Sequence, residues 1–276
     1  MRRRWKIAAT ILLVLWIVLV FGVSDLLMLG PRPGNVDAGT ARRQFVHAND
    51  RAVEVWISRS DWLRRDEAPT GYVLEFCGNA TRAEDIAQYV AQRWHRWPVE
   101  VWVMNYPGAG GSEGALRLAN VAPAALAVYD EVRRRARPNV PIFVEANSFG
   151  TTAALCVAAR RPVAGCVLHD PVPLRQLIMG RYGWWNLWLV AGAVAWHVPA
   201  ELDSLQNARH ISAPAVFILA DQDDFVGPRY QRMVLEAYAG ETRRVVLHGG
   251  HWSSVEGNTA LELERRLDWL WRRAAR

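Results

Sequence analysis

The chain has 276 residues, 51% hydrophobic and 22% charged, with a formal net charge of +6 at pH 7. These proportions match folded globular proteins and exclude disorder, collagen and coiled coil as the main state. The basic excess is almost all arginine, scattered in clusters at 2–4, 133–137 and 265–273, the last two near expected helix ends. That distribution describes solvated helix faces rather than a nucleic-acid-binding stripe.

At the N-terminus, Arg2, Arg3, Arg4 and Lys6 precede an uncharged run over 7–24. As a helix that run would span about 27 Å, close to the hydrocarbon thickness of a bilayer. The run is longer than the apolar region of a cleaved signal peptide, and no clear small-x-small site follows it. Residues 1–30 therefore read as a basic stub and an uncleaved single-pass anchor, with a cleaved signal followed by secretion, or a buried helix, as the alternatives. The positive-inside rule places the basic end in the cytoplasm and the rest on the other side. Residues 31–44, with prolines and glycines, read as a linker, and 45–276 as one large domain.

Beyond the linker, short apolar strand signals alternate with helical ones. Strands are expected at 53–57, 72–76, 99–104, 142–146, 165–169, 215–219 and 243–247. Helices are expected at 83–94, 123–136, 149–159, 230–238 and 260–271. Fully apolar strands separated by helices indicate an α/β fold, a mostly parallel sheet covered on both faces, with chemistry at the C-terminal ends of the strands.

Three segments that follow strands carry candidate chemistry. Ala146-Asn147-Ser148-Phe149-Gly150 joins a strand to an apolar helix, which suits a hydroxyl held clear of the backbone on a tight turn. The helix N-terminus there supplies N–H groups for a developing oxyanion. Asp221, Asp223 and Asp224 follow the strand at 215–219, and any of them could orient a histidine. His248 and His251 follow the last strand in a glycine-bearing loop. The chain order Ser, Asp, His is one of the known orders of a catalytic triad. The three cysteines, Cys77, Cys156 and Cys166, form no CxxC pair and no zinc-like spacing.

Over about 45–273 the chain resembles the α/β-hydrolase superfamily, and within it the BEM46-like group that includes the ABHD13 and ABHD17 types. Four blocks carry the resemblance. Leu74-Glu75-Phe76-Cys77-Gly78-Asn79-Ala80 is similar to the oxyanion segment. Asn105-Tyr106-Pro107-Gly108-Ala109-Gly110-Gly111-Ser112-Glu113-Gly114 is similar to a glycine-rich family loop. The segment around Ser148 resembles the nucleophile elbow. Residues 214–226 with Gly249-Gly250-His251 match the acid and histidine blocks. The resemblance implies Ser148 as nucleophile, Asp223 as acid in preference to Asp221 or Asp224, and His251 as base in preference to His248. It also implies an oxyanion hole from the backbone N–H groups of Asn79 and Phe149. Cys77, Ala146 and Gly227 depart from the family's histidine, glycine and proline.

About 45 residues separate the strands at 165–169 and 215–219. This insertion, about 172–212, holds Trp184, Trp185, Trp188 and Trp196. It reads either as an apolar lid lining an acyl pocket or touching the bilayer, or as a helix packed on the core. The expectation is a membrane-anchored serine hydrolase of a small-molecule acyl ester or thioester, with lipid as one candidate source, needing no metal or organic cofactor. The alternatives are a non-catalytic binding protein on the same fold and a peptidase-type hydrolase using the same triad.

Overall fold

A computed structural model describes residues 2–26, 38–64, 66–79, 81–184 and 188–274. Eight strands form one sheet: β1 (Arg42–Ala48), β2 (Arg51–Arg59), β3 (Gly71–Phe76), β4 (Val99–Met104), β5 (Ile142–Asn147), β6 (Gly165–His169), β7 (Ala215–Ala220) and β8 (Thr242–Leu247). Their spatial order is β1-β2-β4-β3-β5-β6-β7-β8. β1 and β2 run antiparallel to their neighbours, and the other six are mutually parallel.

The central strands are buried along their whole length, as in β3 and β6, so both faces of the sheet must be covered. The covering helices are α2 (Ala83–Arg93), α3 (Leu118–Arg135), α4 (Gly150–Ala158), α8 (Pro228–Ala237) and α9 (Gly257–Ala274). α2 and α9 meet over β5 through aromatic rings. Trp94 lies 5.1 Å from Phe143, and Trp271 stacks 5.5 Å from Phe143 and 5.7 Å from Trp97. Fully burying side chains such as Leu74, Phe76 and Phe217 contributes about 1.5–3 kcal/mol each. The outermost strands carry exposed arginines, Arg42 and Arg43 on β1 and Arg243 and Arg244 on β8, which discourage edge-to-edge pairing.

Most expected elements recur with ends shifted by a few residues, and two differ more. β1 begins at Arg42, inside the segment expected as linker, because its pairing with β2 fixes it although its first three residues are polar and only Val46 is buried. α3 begins at Leu118, five residues before Pro123. That proline sits within the first two turns, where it removes one hydrogen bond, and the helix continues through it.

The insertion between β6 and β7 forms α5 (Leu174–Tyr182), α6 (Ala191–His197), a 3-10 turn (Ala200–Leu202) and α7 (Ser204–Ala208). Leu174, Leu177, Ile178, Ala191, Val194 and Ala195 join the hydrophobic core. Trp184, Trp188 and Trp196 are exposed, and Trp185 lies outside the described residues. The segment is thus docked on the core as helices, and a covering role for it is not displayed.

The basic and apolar N-terminal run forms a helix, α1 (Arg2–Leu26), which lies against α6. Its large apolar side chains from Trp5 to Ile17 are exposed. Among the described residues, however, no helix is long and apolar enough to cross a membrane, so the expected anchor finds no support there. Most of the expected linker, 31–37, lies outside the described residues.

Candidate active site

β3 and β5 are adjacent and in register, with Phe76 opposite Ala146. Three residues further along each chain stand Asn79 and Phe149, so the two segments leave the sheet side by side. Ser148 is the turn residue between β5 and α4. Its φ is +50°, a left-handed conformation that costs a non-glycine residue about 1–2 kcal/mol. The turn is held by its neighbours. Ser148 N–H donates to His169 O at 2.8 Å, and Thr151 N–H donates to Ser148 O at 2.9 Å. Gly150 must lack a side chain, because a Cβ there would stand 2.0 Å from the carbonyl oxygen of Phe76. Phe149 caps the N-terminus of α4, the positive end of the helix dipole, where Thr151 N–H and Thr152 N–H are already spent on Ser148 O and Phe149 O. This is the arrangement that can meet negative charge developing near Ser148.

The acid and the base come from the loops after β7 and β8. Asp223 Oδ2 accepts from His251 Nδ1 at 2.7 Å and from Gln231 Nε2 at 3.0 Å. Its Oδ1 accepts from the N–H groups of Phe225 and Val226, both at 2.8 Å. Burial pushes the Asp223 pKa up, but the hydrogen bonds from His251, Val226 and Phe225 outweigh it and hold the carboxyl below its ordinary value. Both Asp223 and His251 are buried. Asp221 and His248 form a separate pair, 2.6 Å apart and largely exposed. Asp224 is exposed, and its backbone oxygen accepts from Arg181 of α5. The rings of Phe225 and Trp252 lie 5.1 and 5.0 Å from the His251 ring. Of the sequence candidates, the structure therefore brings Asp223 and His251 together and leaves Asp221, Asp224 and His248 at the surface.

Several residues at the site escaped the sequence reading. Asp170, directly after β6, is fully buried with φ +47°. Its Oδ1 accepts from Ala220 N–H at 3.0 Å, while its Oδ2 lies 3.6 Å from His251 Nδ1 and 3.5 Å from His169 Nε2. Burial pushes the Asp170 carboxyl up to about 7, with the Asp223 charge adding to it. Burial also lowers His169 to about 3, with Arg93 and His251 adding to it, so this imidazole is neutral.

A second set of buried polar groups supports the loops after β3 and β4. Asn105 Nδ2 donates to Glu54 Oε2 at 2.7 Å and Glu84 Oε2 at 2.9 Å, and its Oδ1 accepts from Ala83 N–H at 2.8 Å. Ser112 Oγ donates to Asn105 O and accepts from Glu54 N–H, each at 2.8 Å. Tyr106 O–H donates to Cys77 O at 2.8 Å, pinning the carbonyl just before Gly78. The Cys77 thiol is fully buried and pushed well above its ordinary pKa by that burial, which suits a packing residue rather than a nucleophile.

Asp170, Asp223 and His251 offer ligand atoms within 4.8 Å of one another, the spacing of a cation site. The His251 Nδ1 that would face a cation is already hydrogen-bonded to Asp223, which favours the acid–imidazole reading.

No family model and no characterised sequence matches the chain. Solved structures do. An esterase from Pyrococcus furiosus, Pf2001, superposes with a TM-score of 0.67 at 15% identity, covering 89% of this chain and 98% of that one. Est1E from Butyrivibrio proteoclasticus, solved with ferulic acid bound, gives 0.65 at 14% identity, covering 84% and 100%. An acylaminoacyl peptidase from Pyrococcus horikoshii gives 0.61 at 13% identity, covering 84% of this chain but 41% of that one. Together with the strand order, these likenesses define an α/β-hydrolase fold. The BEM46-like subdivision is not resolved by them.

Proposed function

We propose that the chain is a serine hydrolase that cleaves an acyl ester or thioester through an acyl-enzyme. The observation that carries this reading is the pairing of a left-handed Ser148 at a strand-to-helix turn with a buried Asp223–His251 hydrogen bond at the same end of the sheet. Ser148 Oγ attacks the acyl carbonyl. His251 takes its proton and returns it to the leaving group, while Asp223 holds the imidazole with its proton on Nδ1. Backbone N–H groups of Asn79 and Phe149 receive the oxyanion. Water then attacks the acyl-enzyme, with His251 again as base, and releases the acid.

Est1E with ferulic acid and the Pf2001 esterase support a small acyl substrate on this fold, although fold alone does not fix chemistry. Trp184, Trp188 and the rings of Phe225 and Trp252 are exposed apolar groups that suit an acyl chain entering from an apolar surface. Trp185 is part of the same reading. In this reading the run over 7–24 anchors the domain to a membrane outside the cytoplasm; that placement rests on the sequence. The test is hydrolysis of short and long acyl esters, thioesters and peptide amides by the full chain, assayed in carbonate-washed membranes and in the wash. The expected result is ester and thioester cleavage retained in the membranes. Cleavage of peptide amides alone would overturn the substrate class, and activity found only in the wash would overturn the anchor.

A further inference from the structure

Asp170 stands where two carboxylates face one imidazole nitrogen. Asp223 Oδ2 is 2.7 Å from His251 Nδ1, and Asp170 Oδ2 approaches the same nitrogen at 3.6 Å from the next strand in the sheet. Asp170 is fully buried in a left-handed backbone conformation that few aspartates adopt, and its Oδ1 is fixed by Ala220 N–H. Its Oδ2 has no hydrogen bond, and neither has His169 Nε2, 3.5 Å away. A buried oxygen left unpaired beside a base costs free energy and calls for an explanation in function.

We propose that Asp170 is a positioning residue, a second acid on the Nδ1 side of His251 that takes over the orienting role once Asp223 is replaced by a neutral amide. This inference rests on the serine-hydrolase reading of the same site.

The groups that face Asp170 are Asp223 from the loop after β7, His251 from the loop after β8 and His169 beside it on β6, the last in turn under the field of Arg93 from α2. Two like charges converging on one nitrogen do not both ionise readily, so Asp170 keeps its proton while Asp223 is charged. Its elevated titration, about 7, agrees with that. In Asp223→Asn the neighbouring charge is gone. The new amide N–H donates to His251 Nδ1 and favours the tautomer that cannot act as base. Asp170 then gives its proton to solvent as pH rises, and its carboxylate draws the imidazole proton back to Nδ1.

The experiment is the pH profile of fluorophosphonate labelling of the full chain in detergent, comparing wild type, Asp223→Asn and Asp223→Asn with Asp170→Asn. Asparagine at 170 keeps an oxygen acceptor for Ala220 N–H and tolerates φ +47° better than most residues. The expected result at about pH 8 is labelling of Asp223→Asn at least about tenfold faster than of the double variant, with the advantage lost towards about pH 5. Equal rates for the two variants at every pH would overturn the proposal. A merely structural Asp170 would lower labelling without this pH-dependent advantage. A second measurement reads the contact without catalysis: the His251 Nδ1–H proton resonance in full-length Ser148→Ala against Ser148→Ala with Asp170→Asn. Its shift should follow pH differently in the two, and identical curves would overturn the proposal. A wild type that fails to label sinks the hydrolase reading instead, and the resonance then decides the role of Asp170.

Discussion

At the scale of single residues, the site is built from conformations and ionisations that folding alone would avoid. Ser148 and Asp170 both hold positive φ without being glycine, and both lie at C-terminal strand ends. Asp170 gives this strain a measurable pH signature. Its carboxyl is raised from 3.8 to about 7 by burial and then by Asp223, so the folded state holds a proton that the unfolded state has released. Stability therefore falls as pH rises from about 4 to about 7 and stays lowered above that. His169, depressed to about 3, acts in the opposite sense, adding stability as pH rises from about 3 to about 6.5, and it does so with or without Asp170. The difference between Asp170→Asn and wild type isolates the first effect. Urea unfolding should show Asp170→Asn gaining on the order of 3 kcal/mol over wild type between about pH 4 and about pH 8. A difference independent of pH would show that Asp170 is ionised throughout.

At the scale of elements, a buried charge group locks α2 to β3 and β5 just below the site. Arg93 pairs with Glu145, which also accepts from Trp94 Nε1 at 2.6 Å. Glu75, opposite Glu145 across the two strands, is raised well above its ordinary value by burial and then by Glu145. These strands lead directly into Gly78-Asn79 and Ser148, so the group sets the two segments that would hold the oxyanion. Removing one partner leaves a charge buried without compensation. Arg93→Met should lose about 3–5 kcal/mol, and adding Glu145→Gln should restore most of it, as read by chemical denaturation. Additive losses would contradict the coupling. None of this was legible in the sequence. Apolar period and turn residues locate strands and helices, but Glu75 and Glu145 looked like isolated charges in apolar runs, and their partner Arg93 is distant in the chain. The Glu54–Asn105–Glu84 group and β1 were hidden for the same reason: each is defined by pairing across the sequence.

At the scale of the whole molecule, the parallel sheet and the loops that bear Ser148, Asp223 and His251 were legible, because β5 and β7 are short apolar runs followed by small or acidic residues, and β8 ends in Val245-Val246-Leu247 before a loop of histidines and glycines. Asp170 was not, since a His-Asp-Pro strand end carries no signal until β7 is laid beside β6. The insertion was legible as apolar, and the core takes its aliphatic residues while leaving Trp184, Trp188 and Trp196 exposed. What unites these levels is a single claim: the turn after β5 and the pair after β7 and β8 make Ser148 a nucleophile. Fluorophosphonate labelling of the wild type beside Ser148→Ala, Asp223→Asn and His251→Ala tests it most directly. The expected result is rapid labelling of the wild type, none in Ser148→Ala, and rates lowered by about 100-fold or more in the other two near neutral pH. A folded wild type that does not label, or labelling that persists in Ser148→Ala, would contradict it.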